Sequence, residues 1–268
     1  MTTLKIIQGI EEAYKTSDLV YEMMVGHFFN LSGFAFHAVT IKQGSPLVRA
    51  RYTNQMKSLH TLDEISYPKR EYVTKFSRLN RPGQNLFYAS ESEKTCLAEM
   101  LPFWFDEFEL GEIKLVTLGK WTVRNDLKLL VIPDTQNSNE LSKKVISLLQ
   151  KPEIEFWNYI SGKFRTTTKE DPNIYELTSA FGNALWLNAL IQNTMANGFI
   201  YSSVQSPKSM NVALNTQTID AGYLTPSEFV EIQIQKTGYT RTGLPHYKMI
   251  GDKRQGFIDM EKQKISWI

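Results

Sequence analysis

Arg49, Arg51, Arg78 and Arg81 are arginines whose guanidinium groups suit an anion; Asn80, the strand tyrosine Tyr88, the helix glutamate Glu99 and the serine pair Ser202-Ser203 are the other candidate polar groups. Residues 75–104 (KFSRLNRPGQNLFYASESEKTCLAEMLPFW) concentrate them. Arg78 and Arg81 flank Asn80 in a turn marked by Pro82-Gly83, and Leu86-Phe87-Tyr88-Ala89 reads as a buried strand. Ser90 and Glu93 have capping-box spacing, in which the hydroxyl accepts from the N–H three residues on and the carboxylate reaches back. A helix N-terminus beside guanidinium forks favours anions. On the helix that follows, Leu97, Met100, Leu101 and Trp104 form an apolar stripe that ends near Pro102. Glu99 falls opposite that stripe, where pattern alone makes it a surface residue, and Cys96 reads as core.

Residues Pro46 to Tyr52 read as a strand, whose alternation puts Leu47, Arg49 and Arg51 on one face. Two readings are open: a solvated edge strand whose charges deter aggregation, or a paired-guanidinium anion site.

Much other chemistry is missing from the sequence. It has no glycine-rich phosphate loop, no GxGxxG after a strand, no GxSxG elbow and no HExxH, and its four histidines are scattered. No metal is expected. Cys96 is the sole cysteine, so an intrachain disulfide cannot form. A net charge of +2 makes no global case for nucleic acid. No run of about 18 apolar residues suggests a membrane helix, and acidic residues interrupt what would be a signal peptide's apolar segment. The expected setting is cytoplasmic, with no direct nucleic-acid or membrane partner.

These residues need a scaffold. Thr3 to about Phe29 has helical spacing, broken and recapped at Thr16-Ser17-Asp18, and residues 1–44 are expected to form an N-terminal helical region ahead of a catalytic domain over 45–268. Ser58 to Lys75 reads as a polar loop over the site. Strands are expected at Glu112–Leu118, Leu127–Ile132, Phe199–Val204, Asn211–Leu214 and Glu231–Gln235. Gly238 is read as the turn to a further strand around His246. Helices are expected at Leu141–Leu149, after Pro152, and from Asp171-Pro172 to Asn197, with Gly198 as the C-terminal stop. The predicted fold class is α/β (α+β), a mixed central β-sheet flanked by helices.

The ordered blocks L-V-R-A-R, S-R-L-N-R-P-G, L-F-Y-A-S, L-A-E-M, G-F-I-Y-S-S-V and N-V-A-L resemble the RES-domain family of bacterial NAD-consuming toxins. The resemblance implies a fold similar to ADP-ribosyltransferase toxins and cleavage of the nicotinamide–ribose bond of NAD by hydrolysis or phosphorolysis. NAD is then a substrate rather than a cofactor, with phosphate as co-substrate in some members. It implies catalytic roles for Arg49, Arg78, Tyr88, Glu99 and Ser203, with Ser203 bonding the nicotinamide ribose or carboxamide. Arg51, Asn80, Arg81 and Ser202 are second-rank NAD-binding positions. The family usually has proline before the serine where this chain has Ser202, so Ser202 and Ser203 both fit. A cognate antitoxin protein and a homodimer are also implied. Transfer of ADP-ribose to a macromolecule, or a non-catalytic interaction module on the same fold, are the alternatives.

Overall fold

A computed structural model describes the chain apart from residues 1–2, 16–20, 31–35, 54–55, 107, 137–138 and 240–244. Helices α1 (Thr3–Lys15) and α2 (Tyr21–Asn30) open it. The expected break at Thr16-Ser17-Asp18 lies outside the described residues. Within the region read as helical, Ala38–Ile41 forms β1. Then follow β2 (Pro46–Thr53), α3 (Leu62–Ile65), a 3-10 turn (Arg70–Tyr72), β3 (Leu86–Ser90) and α4 (Glu93–Asp106). Next are β4 (Ile113–Val123), β5 (Leu127–Ile132), α5 (Glu140–Ile146), α6 (Lys151–Arg165) and α7 (Ile174–Ile191). The rest comprises β6 (Gly198–Ser202), β7 (Met210–Asn215), α8 (Thr216–Asp220), β8 (Leu224–Tyr239), β9 (Pro245–Asp259) and β10 (Lys264–Trp267). Among the described residues no helix is long and apolar enough to cross a membrane.

Among the described residues, ten strands join one mixed sheet in the order β1-β5-β6-β7-β3-β2-β4-β8-β9-β10. Among the described strands only β5 and β6 run parallel, joined by the α5–α7 crossover that a parallel pair requires. One junction decides the site. β2 and β3 pair at a single position, Val48↔Ser90, while β2 pairs with β4 along its whole length. The sheet therefore splits beside Tyr88 and Arg49. β2 is an interior strand, so the edge-strand reading of its arginines is wrong.

Three cores surround this split. Val48 and Ser90 are opposite each other and so share a face. On that face α4 packs Cys96, Leu101 and Trp104 on Val48 and Ala50 of β2. On the other side of the split, α2, α6 and α7 bring Met24, Phe28, Trp157 and Phe181 over Tyr201 and Ala213. Met24 and Phe28 lie one helical turn apart, and Phe28 meets Phe181 edge-on at 5.5 Å. The opposite face carries Leu47, Phe87 and Phe229 beneath Leu59, Leu62 and Ile65.

Several boundaries differ from expectation. The polar segment after Ser58 is a packed strap. It contains α3, with a Thr61–Glu64 capping box, and it buries Leu59, Leu62 and Ile65. Helix α4 continues through Pro102 because Trp104 beyond it is buried against Tyr52 at 4.7 Å. That burial outweighs the one backbone hydrogen bond proline gives up. Its cap is Ser92, which accepts from the Thr95 N–H at 3.2 Å, because Ser90 is held in β3 and donates to Asn211 at 2.6 Å. Gly198 opens β6 rather than closing α7. A side chain there would meet the Ala213 carbonyl at 2.1 Å, so the close approach of β7 requires glycine. Gly238 lies within β8 at an irregularity in its pairing with β9.

Candidate active site

The split between β2 and β3 opens a cleft of about 290 Å³. Arg49, Arg78, Tyr88, Glu99, Tyr175 and Tyr201 line it, with Cys96, Met100 and Asn211. Strand alternation puts Arg49 on the face opposite α4, yet its guanidinium turns into the split. There NH1 donates to the Tyr88 carbonyl at 2.8 Å. Parting from β2 denies that carbonyl a β2 ladder donor, and the arginine supplies one. Arg49 Nε donates to the Ile65 and Ser66 carbonyls at 3.0 and 2.9 Å, and the group lies 5.3 Å over the Phe87 ring. Burial pulls its pKa down to about 10, so it stays charged at neutral pH.

Arg78 stands at the start of the turn before β3. It is buried, donates to the Phe164 carbonyl at the end of α6, and lies 5.2 Å over the Tyr175 ring. The turn is fastened to β3 through Tyr88, whose hydroxyl donates to Asn80 Oδ1 at 2.7 Å and accepts from the Leu79 N–H at 3.2 Å. Asn80 thus positions Tyr88 and the turn that carries Arg78. Burial pushes the Tyr88 and Tyr201 hydroxyls well above their ordinary range, so the cleft is walled by neutral phenols.

Glu99 is half-buried and lines this cleft, contrary to the surface position its opposition to the apolar stripe implied. Cys96, Glu99 and Met100 are three and four residues apart, so they form a second face of α4 turned toward the split. Ser203 Oγ donates to Glu99 Oε1, and the Gln205 N–H reaches the same oxygen at 3.2 Å. Oε2 takes no hydrogen bond from the described residues. Ser203 itself is fully buried and accepts from the Ser206 N–H at 2.8 Å. Its hydroxyl is engaged on both sides and orients Glu99, rather than facing the cleft as the resemblance implied.

The second-rank positions separate. Ser202 points to the other side of β6, where it accepts from Asn139 Nδ2 at 2.6 Å, in the cap of α5. Arg51 stays on the strap face near Glu64; burial lowers its pKa and that carboxylate opposes the shift. The paired-guanidinium reading therefore fails: one arginine enters the split and the other does not. Arg81 pairs with Glu22 at 3.2 Å and lies 5.8 Å over Tyr21. It lines a separate cavity of about 500 Å³ that shares no residue with the cleft.

Tyr175, Tyr201 and Asn211 were not singled out from sequence. Tyr201 had a signal, since it lies two residues before Ser203 and so on the same strand face. Tyr175, in the first turn of α7, had none.

A family model described as the RES domain matches residues 47–233, an interval that contains Arg49, Arg78, Tyr88, Glu99 and Ser203. No curated protein matches the chain.

Proposed function

The chain belongs to the RES-domain family, and on that premise we propose that it degrades NAD by breaking the bond between nicotinamide and ribose. One observation carries this reading: a carboxylate, Glu99, fixed through one oxygen by Ser203 and Gln205, shares a cleft with Arg49 and Arg78. In the reaction the C1′–N bond breaks and both electrons go to nicotinamide, which leaves neutral. No general acid is needed. The ribose becomes an oxocarbenium-like cation, and the Glu99 carboxylate stabilises it, as carboxylates do in glycoside chemistry. Water or phosphate adds at C1′, and water releases a proton as it does so. Arg49 and Arg78 suit the substrate's pyrophosphate, and Tyr88, Tyr175 and Tyr201 offer aromatic walls to the nicotinamide.

The test is to incubate folded protein with NAD, with and without phosphate, and to follow NAD and nicotinamide by chromatography. Loss of NAD with matching nicotinamide supports the reading, and dependence on phosphate identifies the acceptor. Unchanged NAD in both conditions sinks it. ADP-ribose label found on protein or nucleic acid would instead indicate transfer to a macromolecule. Such depletion in the cytoplasm would arrest growth, so the proposal includes a cognate antitoxin protein; it also includes a homodimeric enzyme, which family membership suggests.

A further inference from the structure

The reacting cleft is too small for a whole dinucleotide: its volume, about 290 Å³, lies at the lower bound of sites for drug-sized ligands, ~300 Å³. A second groove, also about 290 Å³, is lined by Arg49, Tyr72, Thr74, Lys75, Ser77 and Tyr88, among others. Three of these, Arg49, Ser77 and Tyr88, line the reacting cleft as well, so the two spaces are contiguous. The larger cavity beside Arg81 shares no lining residue with the cleft and one, Leu86, with the groove.

The groove has the groups that a nucleotide needs. Tyr72 sits in the 3-10 turn with 70% of its surface exposed, which leaves a ring available for stacking. Lys75 is exposed and has no acidic partner among the described residues. Arg49 stands where groove and cleft meet, and it is charged and held by three carbonyls. A positive group at the junction and another along the groove suit a pyrophosphate that crosses from one space to the other. An exposed aromatic ring in the same lining suits a purine, since every base presents a π-face.

We infer that this groove, with Tyr72 and Lys75 as binding residues, holds the adenosine half of the dinucleotide while the nicotinamide half occupies the cleft. The inference rests on the NAD reading above. It makes the chain selective for dinucleotides over nicotinamide mononucleotide, which lacks the half that the groove would bind.

The experiment uses Tyr72→Ala and Lys75→Ala, both at exposed positions, and two substrates. Each substitution is expected to raise KM for NAD roughly tenfold, as for loss of one stacked base or one phosphate contact. The kcat for NAD and the KM for nicotinamide mononucleotide should stay at wild-type values. Calorimetry with ADP-ribose provides a measurement independent of turnover: wild type binds and both variants bind roughly tenfold more weakly. NAD kinetics insensitive to both substitutions, or equal losses with both substrates, overturn the inference and leave NAD cleavage standing. An increase in KM for Gln217→Ala, in the larger cavity, likewise overturns it. If NAD is not consumed but ADP-ribose binding follows Tyr72 and Lys75, the groove assignment holds and the cleavage reading falls. If ADP-ribose does not bind, the groove assignment falls.

Discussion

The link between Ser203 and Glu99 can be tested by a double-mutant cycle of Ser203→Ala and Glu99→Gln. Glu99→Gln keeps the shape of the side chain and removes its charge. A carboxylate about 4 Å from a developing cation contributes roughly 4 kcal/mol at an effective dielectric of about 20. Glu99 is half-buried, so roughly 3 kcal/mol is the better figure, about a hundredfold in nicotinamide release. Ser203→Ala removes one hydrogen bond to that charge, ~1.5–3 kcal/mol. The expected loss is ten- to a hundredfold, exerted through the position of Glu99. In the Glu99→Gln background the serine substitution should therefore cost much less, with a coupling of ~1–2 kcal/mol between the sites. The assay is initial-rate nicotinamide release, with thermal melts alongside, because Ser203→Ala also strands the Ser206 N–H. Strictly multiplicative losses would refute the coupling, and a Ser203→Ala protein at half the wild-type rate or better would remove Ser203 from the machinery.

Three further outcomes are expected. Tyr88→Phe strands Asn80 Oδ1 and the Leu79 N–H, at ~1–3 kcal/mol. Scanning calorimetry should show a fall in Tm of roughly 3–8 °C, and an unchanged Tm would contradict the assigned role of that hydroxyl. Burial pushes the Cys96 thiol up to about 12, so iodoacetamide at pH 8 should modify it only after denaturation, and rapid labelling of native protein would count against this. At Glu64 burial raises the carboxyl pKa, but the His60 and Thr61 N–H groups and the Thr61 hydroxyl outweigh it, and the net shift is downward. A depressed folded value gives stability that is present above the ordinary value of 4.5 and is lost as pH falls through the folded one. Glu64→Gln should melt below wild type at neutral pH, with the gap closing in acid, and a gap that does not vary with pH would disprove the linkage.

Arg49, Tyr88 and Glu99 were legible in the sequence because each sits on a regular element with a clear period, and Arg78 and Ser203 because each adjoins one, in the turn before β3 and just past the end of β6. The mixed sheet and most strand positions were legible for the same reason. What was hidden depends on pairing between distant segments. The short β2–β3 ladder cannot be read from either strand alone, and without it Arg49 looks like a partner of Arg51. The apolar stripe of α4 alone makes Glu99 a surface residue, while the helix packs on the sheet with one face and borders the split with another. The choice between Ser202 and Ser203 was open to strand alternation, since Tyr201 and Ser203 share a face and Ser202 turns to the α5 cap. The strap from Ser58 had too little periodicity to reveal that its few apolar residues are buried.

That strap also sets an order of events. It is fastened by β10: the Leu62 N–H donates to the Gln263 carbonyl, Ile265 N–H to His60, and Trp267 Nε1 to Leu59 at 2.7 Å. Leu59 and Trp267 are 208 residues apart. During synthesis Arg49 leaves the ribosome long before the strand that secures the carbonyls gripping its Nε. A nascent chain carrying every cleft residue but lacking β10 lacks these three bonds to the strap, while Arg49 keeps its bond to the Tyr88 carbonyl. The site is therefore a late product of folding, closed by contacts of long sequence separation, which form slowly.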